Sequence, residues 1–524
     1  MKIDLYDTTL RDGAQSPGIS FTTEDKLRII AALDEFGISF IEAGNPGSNP
    51  KDAELFEKAA ALNLKNSKLC AFVSTCHAGT KAYEDKALIK TINAGTDIVT
   101  IFGKSWLLHI EKIMKTTAEE NIRIIFDSIK FLKDNGKTVF FDAEHFFDGY
   151  INNPEYALKV LQTAKGAGAS VVILCDTNGG KMPDEIAGIT KIAVEKIKIP
   201  VGIHCHDDNG LAVAGTLAAV KSGAVQVQGT VNGLGERCGN TNLCVVIPNL
   251  QLKLDYNCVP EESLRNLTSL ARYIAEISNI SFNENMPYVG GHAFTHKAGM
   301  HIDAVNKLPS SFEHIQPDLI GNARSMLVSE VAGRAALLNK MCQLAPYITK
   351  DSPELKEALN FVKSYESDGY QFENAEGSLA LLLLKSLNKR RTFFSVETFK
   401  LALFEPDVKQ RKPSASIKVK VDGIEEITAA EGDGPVNALD KALRKALTMF
   451  YPKLKDMKLI DYKVRVLDSN AATAAKVRVL IESSDSSHVW RTVGVSTDII
   501  EASWNALLDS VEYKLSLDEG LLGL

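Results

Sequence analysis

The chain has 524 residues, 45% hydrophobic and 24% charged, with 59 Lys and Arg against 66 Asp and Glu for a formal net charge of −7. That length exceeds what one hydrophobic core organises, so about two to four domains are expected. The acidic balance and the lack of a long basic run exclude nucleic acid and anionic membrane as expected partners, because binding phosphate needs clustered Lys and Arg. No apolar run reaches the roughly 20 residues that cross a bilayer. The opening MKIDLYDTTL puts Asp4 and Asp7 where a secretion signal needs an apolar centre, so a cytoplasmic location is expected. The eight cysteines include no C-x-x-C pair, which argues against a zinc ribbon or a redox dithiol. They are expected to be mostly free and buried.

Through about residue 250, short β-prone runs alternate with helical stretches. The strands read as 2–10, 39–44, 68–74, 97–102, 138–144, 170–176, 200–206 and 224–230. After the first, TTEDKLRIIAALDEFG offers Thr22 as a cap, Ile29, Leu33 and Phe36 on one face, and Gly37 as the stop. Strand–helix alternation predicts parallel strands. Eight such units predict a closed (β/α)8 TIM barrel, with an open doubly wound sheet as the alternative. The G-x-G-x-x-G of dinucleotide-binding sheets is absent after the first strand.

Residues 251–405 read mainly as helical, EESLRNLTSLARYIAEIS being the clearest case, with an irregular Gly- and His-rich insert at 286–304. FEPDVKQRKPSAS at 404–416 reads as a linker. Beyond it an echo appears. EGDGPVNALDKALRKAL and VGVSTDIIEASWNALLDSV each begin in a small-residue turn, Gly432–Gly434 and Gly494–Ser496. Each then carries Ala and Leu at matching offsets: Ala438, Ala442 and Leu443, then Ala502, Ala506 and Leu507. Alternating strands precede both, so a duplicated α+β domain is expected, of a kind more often regulatory than catalytic. The regions are then a barrel at 1–255, a helical linker region at 256–410 and a regulatory domain at 411–524.

In a parallel barrel, chemistry gathers at the C-terminal strand ends. There the sequence places Arg11-Asp12, Glu42, Asp142, Glu144 and His145, Asp176-Thr177-Asn178, His204-Cys205-His206 and the loop GLGERCGNTN. His204 and His206 are two apart on a strand, so both imidazoles face the same way. With a carboxylate from another strand they can hold one metal ion, Asp12 being the natural candidate and Asn240 a further amide oxygen. Taken singly, these residues also have plainer readings. Arg11-Asp12 reads as a strand-end ion pair, Glu144 as a rim carboxylate, His292, His296 and His301 as loop histidines, and Asp176 as a tie for its own loop.

Together, TTLRDGAQ, HCHDDNG and NGLGERCGNTNL, in this order, resemble the DRE-TIM metallolyase superfamily. They are most similar to its acyl-CoA-condensing branch of 2-isopropylmalate, homocitrate and citramalate synthases. FFDAEHFFDGY, IFGKSW and GERCGNTNLCVVIPNLQLKL look most like the (R)-citramalate synthase subgroup. The resemblance implies acetyl-CoA and pyruvate as substrates, a place in isoleucine biosynthesis, and a divalent metal (Zn, Mn or Mg) on Asp12, His204, His206 and Asn240. It implies Arg11 as the positive charge beside the keto oxygen, Thr177 as a donor to the substrate carboxylate, and Glu144 as a group that orients acetyl-CoA or relays a proton. It further implies a homodimer in which His301, with Asp303 to orient it, serves as acid/base in the neighbour's site. The C-terminal repeat resembles an amino-acid-sensing domain, with isoleucine the expected effector. Where isopropylmalate synthases often carry a tyrosine, this chain has Phe312.

Overall fold

A computed structural model describes residues 1–297, 299–326, 333–402, 412–467, 475–485 and 487–522. Eight strands close into one barrel in chain order, every pairing parallel. They are β1 Asp4–Asp7, β2 Phe40–Gly44, β3 Lys68–Ser74, β4 Ile98–Lys104, β5 Thr138–Glu144, β6 Val171–Asp176, β7 Val201–Cys205 and β8 Gln226–Gly229. β1 is shorter than the run 2–10 for a local reason. The Asp7 carboxylate accepts from the N–H and hydroxyl of Thr9 at 2.9 and 2.8 Å, which turns the chain at once.

The helix Thr23–Phe36 follows from its sequence. Thr22 and Asp25 form a reciprocal capping box, and Gly37 ends the helix at φ 95°. Ile29, Leu33 and Phe36 are buried against the barrel. Inside the barrel, alternation with period two stacks layers of side chains. Tyr6, Cys70, Ile98, Phe140 and Ile173 form an apolar floor. Above it, toward the C-terminal mouth, β2, β5, β7 and β8 present Glu42, Asp142, His204 and Gln228, all buried.

The compact unit containing the barrel runs past residue 255 to Phe294 and takes in His314–Arg324. Asn257 ties this extension to the N-terminus: its N–H donates to Met1 O at 3.0 Å and its carbonyl accepts from Ile3 at 2.8 Å. The stretch EESLRNLTSLARYIAEIS forms two helices, Glu261–Leu264 and Leu267–Ile277, because Asn266 leaves helical geometry (φ −99°, ψ 3°).

The second unit comprises Thr295–Glu313 and Ser325–Leu524. Two short strands, β9 Thr295–His296 and β10 Ser325–Met326, pair in parallel within it. Its helices Gly299–Lys307, Gly333–Leu344, Pro353–Ser367 and Glu376–Ser386 pool Ile302, Leu337, Leu355 and Leu379 into one core, to which Val493 of the C-terminal repeat also belongs. Ser395–Ala402, within the stretch read as helical, is instead a strand, β11. It pairs antiparallel with β12 Ser414–Val421, so a tertiary partner decides its conformation. Residues 403–411, most of the expected linker, lie outside the described residues.

The echo is a structural repeat. β11, β12 and β13 Ile424–Glu431 form one antiparallel meander, followed by the helix Pro435–Thr448. β14 Lys458–Val466, β15 Val477–Ser484 and β16 Val489–Ser496 form the second, followed by Ile499–Asp518. The same hydrogen bond recurs in each: Thr428 Oγ1 donates to Ala442 O at 2.8 Å, and Thr492 Oγ1 to Ala506 O at 2.7 Å. Gly494–Ser496 is not a turn but the end of β16; Asp498 caps the helix that follows. All eight cysteines are free and six are buried. Among the described residues, no helix is long and apolar enough to cross a membrane.

A Cβ on Gly494 would lie 2.0 Å from Ala502 O. Gly494→Ala should therefore push the last helix off its sheet, at a cost of about 1–3 kcal/mol. In calorimetry the transition of the C-terminal repeats should fall by several degrees while the barrel transition stays in place.

Candidate active site

At the C-terminal mouth of the barrel lies a cavity of about 240 Å³, lined by Arg11, Asp12, Gln15, Phe72, Phe102, Asp142, Glu144, Cys175, Thr177, His204, His206, Glu236 and Arg237. A larger groove of about 750 Å³ lies between the helices Thr23–Phe36 and Leu267–Ile277, but its lining holds no comparable convergence of buried polar groups. Asp12, His204 and His206 bring one ligand atom each to within 4.8 Å of one another, the sole such group among the described residues. His204 Nε2 and His206 Nε2 stand 3.8 and 3.9 Å from Asp12 Oδ2. β7 carries the first histidine. His206 follows its end, held by a backbone bridge to Asn240.

The electrostatics suit cation binding. Arg11, His204 and His206 hold the Asp12 carboxyl down at about 2 against the opposing effect of burial. Burial pushes His204 down and His206 down to about 4, so both imidazoles are neutral and can donate a lone pair. Asn240 donates to Asp12 Oδ1 at 3.0 Å and to Leu234 O at 3.1 Å, while its Oδ1 is buried with no partner among the described residues. A buried acceptor beside an ionised carboxylate and two neutral imidazoles is a donor set that fits a divalent cation. The glycines of the GLGERCGN loop make the approach possible, since a Cβ on Gly235 would sit 2.2 Å from Asn240 Nδ2.

Arg11 is not simply the partner of Asp12. Its Nε donates to Glu42 at 2.6 Å and its Nη1 to Asp12 at 3.0 Å, while the guanidinium lies 3.9 Å over the Phe72 ring. Glu42 also accepts from Tyr6 at 2.8 Å and from Thr8. Removing one side of such a buried pair costs about 3–5 kcal/mol. Glu42 was visible in the sequence as a strand-end carboxylate, but nothing linear linked it to Arg11.

Glu144 lines the cavity and is ion-paired with Lys104, its neighbour across the β4–β5 register. Thr177 accepts from the His145 N–H at 2.8 Å, which leaves its own proton to donate. Its carbonyl is held by Arg237, which also forks onto Asp208. Asp176 ties its own loop, accepting from the Lys181 N–H at 3.0 Å. Phe72 and Phe102 stack at 5.1 Å and narrow the cavity. Sequence reasoning passed over Gln228 and gave Asp142 no role. The available signal was period two, which turns Asp142 of β5 and Gln228 of β8 inward.

His301 and Asp303 belong to the second unit. The exposed His301 stacks on Phe312 at 4.2 Å. Asp303 pairs with Lys307 at 2.6 Å. Residues two apart on a helix do not face each other, so the geometry of this helix does not aim the Asp303 carboxylate at His301. His292 meets Asn285 and His296 meets Glu313, each at 3.0 Å.

Burial and the nearby Glu42 raise the Asp142 carboxyl to about 8. The folded state therefore keeps a proton that the unfolded chain gives up near pH 4. Its stabilisation is present below pH 4 and lost as pH rises through about 8. His206, lowered to about 4, acts in the opposite sense: its contribution is lost as pH falls from about 6.5 toward 4. Denaturant midpoints of the metal-free barrel for Asp142→Asn should thus decline less between pH 5 and pH 8 than those of the unsubstituted protein; equal slopes would refute this.

Comparison with known proteins finds three family matches along the chain. Residues 2–274 match the HMGL-like family, 288–369 the homocitrate synthase post-HMGL domain-like family, and 373–515 the LeuA allosteric (dimerisation) domain. The chain is 51% identical over 524 residues to an (R)-citramalate synthase of Aquifex aeolicus, covering 99% of this chain and 98% of that one. It is 49% identical over 523 residues to the (R)-citramalate synthase of Geobacter sulfurreducens, covering 99% of each chain. It is 31% identical to a probable 2-isopropylmalate synthase of Methanopyrus kandleri, covering 97% of this chain and 98% of that one. With full-length identity of this order and an HMGL-like barrel, the chain belongs to the (R)-citramalate synthase family.

Proposed function

We propose that this protein condenses acetyl-CoA with pyruvate and that water then hydrolyses the thioester of the condensed product, giving (R)-citramalate and free CoA and feeding isoleucine biosynthesis in the cytoplasm. The observation that carries the reading is the convergence of Asp12, His204 and His206 beneath a small cavity walled by Phe72 and Phe102. So small a cavity suits a 2-oxo acid with a short side chain. A hydrophobic wall separates neighbouring side chains by only about 1–3 kcal/mol per methylene, so the wall, not the ligand set, would set the choice.

A divalent metal held by Asp12, His204, His206 and Asn240 would act as a Lewis acid toward the keto group of pyruvate. Arg11, fixed by Glu42 and Phe72, stabilises the negative charge that grows on the keto oxygen as the new carbon–carbon bond forms. Thr177 donates its remaining hydroxyl proton to the pyruvate carboxylate. Glu144, held by Lys104, orients acetyl-CoA or passes a proton from its methyl group. His301 serves as acid/base in the neighbouring subunit's site of a homodimer. Its exposure leaves the ring free for such a role, and Phe312 supports it from beneath.

The C-terminal repeats are the proposed isoleucine sensor. In support, Val493 of β16 shares a core with Ile302, the neighbour of His301. A change in the repeats therefore has packed atoms through which to reach that helix.

Release of free thiol from acetyl-CoA should be fastest with pyruvate in a panel that includes 2-oxobutyrate, 2-oxoisovalerate and 2-oxoglutarate. Isoleucine, and not leucine, should inhibit it. Preference for 2-oxoisovalerate with leucine inhibition would transfer the assignment to isopropylmalate synthesis. Asp12→Ala should abolish turnover and lower bound metal while circular dichroism stays that of the folded barrel; full activity after metal stripping would sink the proposal.

A further inference from the structure

Two buried polar residues at the barrel mouth have no part in the chemistry just described. Gln228 of β8 is fully buried and Asp142 of β5 is 4% exposed. Desolvating an amide in this position is costly unless both its ends are bonded, and both are. Gln228 Oε1 faces His204 Nδ1 at 2.9 Å, and Gln228 Nε2 donates to Asp142 Oδ1 at 3.0 Å.

The chain of bonds has a direction. Asp142 keeps an acceptor oxygen toward the amide whether or not its other oxygen carries a proton, so Gln228 directs its N–H there. Its carbonyl oxygen must then face the imidazole, and His204 meets it with an N–H at Nδ1. The lone pair is left on Nε2, the atom 3.8 Å from Asp12 Oδ2. His206 provides the contrast, since its Nδ1 is buried with no partner among the described residues. One histidine of the pair is fixed from behind and the other is not.

We infer that Gln228, oriented by Asp142, is a positioning residue that locks His204 in the ring angle and tautomer able to ligate a divalent cation. This rests on the reading of Asp12, His204 and His206 as a metal centre. Neither residue touches the reacting atoms in this role. They act through His204, as groups behind a metal-binding imidazole do.

The test measures cation affinity, not turnover. Full-length protein is stripped with chelator and titrated with Mn²⁺ by calorimetry as wild type, as Gln228→Leu, as the paired substitution Gln228→Glu with Asp142→Asn, and as Asp12→Ala. In the pair, the new carboxylate can accept from His204 Nδ1 and from the new amide at position 142, restoring the chain with its polarity kept at the imidazole. Gln228→Leu should bind Mn²⁺ about 10–100-fold more weakly, and the pair should return to within about tenfold of wild type. Wild-type affinity in a folded Gln228→Leu overturns the inference. So does a pair that binds no better than Gln228→Leu. If Gln228→Leu fails to fold, the pair decides alone: near-wild-type affinity supports the role and a large loss refutes it. Should wild type bind Mn²⁺ no better than Asp12→Ala, the metal-centre reading falls too, an outcome distinct from failure of the Gln228 role alone.

Discussion

Everything at the barrel mouth depends on keeping two adjacent, opposite charges from simply neutralising each other. Asp12 is buried and the Arg11 side chain is only 15% exposed, and such a pair would ordinarily satisfy itself. Here Glu42 takes the Nε side of the guanidinium, while Tyr6 and Thr8 fill the remaining acceptor capacity of Glu42. Phe72 holds the guanidinium plane from one face. Asp12 is consequently shared: part of it meets Arg11, part meets Asn240, and one oxygen lies toward both imidazoles. The result is an ionised carboxylate and a fixed cation side by side, each with capacity left for a further group.

The same logic reaches deeper into the barrel. A buried polar group at the mouth is costly unless it is bonded. Gln228 and Asp142 carry that requirement across to β5. The apolar floor of Tyr6, Cys70 and Phe140 closes the barrel below it. The two layers follow from one rule, alternation along parallel strands, applied to eight strands at once.

In the second unit, the duplicated repeats are linked to helices outside them. Ser378 donates to Asp509 at 2.6 Å and accepts from the Val493 N–H at 3.0 Å, joining the helix Glu376–Ser386 to β16 and to the last helix. Arg478 reaches back to Gly369 and Gln371 at 2.7 Å each. These ties involve the second repeat, so the two copies, alike in fold, differ in what they can pass on.

Much of this was legible in the linear sequence. The eight strands, the cap and stop of the first helix, the H-x-H pair and the repeated Ala and Leu offsets all express short-range periodicity, which the chain encodes locally. β11 was missed because its strand partner lies beyond the linker. Asn257 and His314–Arg324 join the compact unit of the barrel through contacts distant in sequence, which no local pattern encodes. The pairing of Asp303 with Lys307 was open to view as an i, i+4 spacing and was passed over in favour of His301. By itself, then, the sequence determined which residue types stand at the strand ends and on which face. Only the tertiary structure decided their partners: Glu42 for Arg11, Gln228 for His204, Lys104 for Glu144. The reason is physical. A strand's period sets where a side chain points, whereas the cost of burying an unpaired polar group selects its partner from whatever another strand brings within bonding distance.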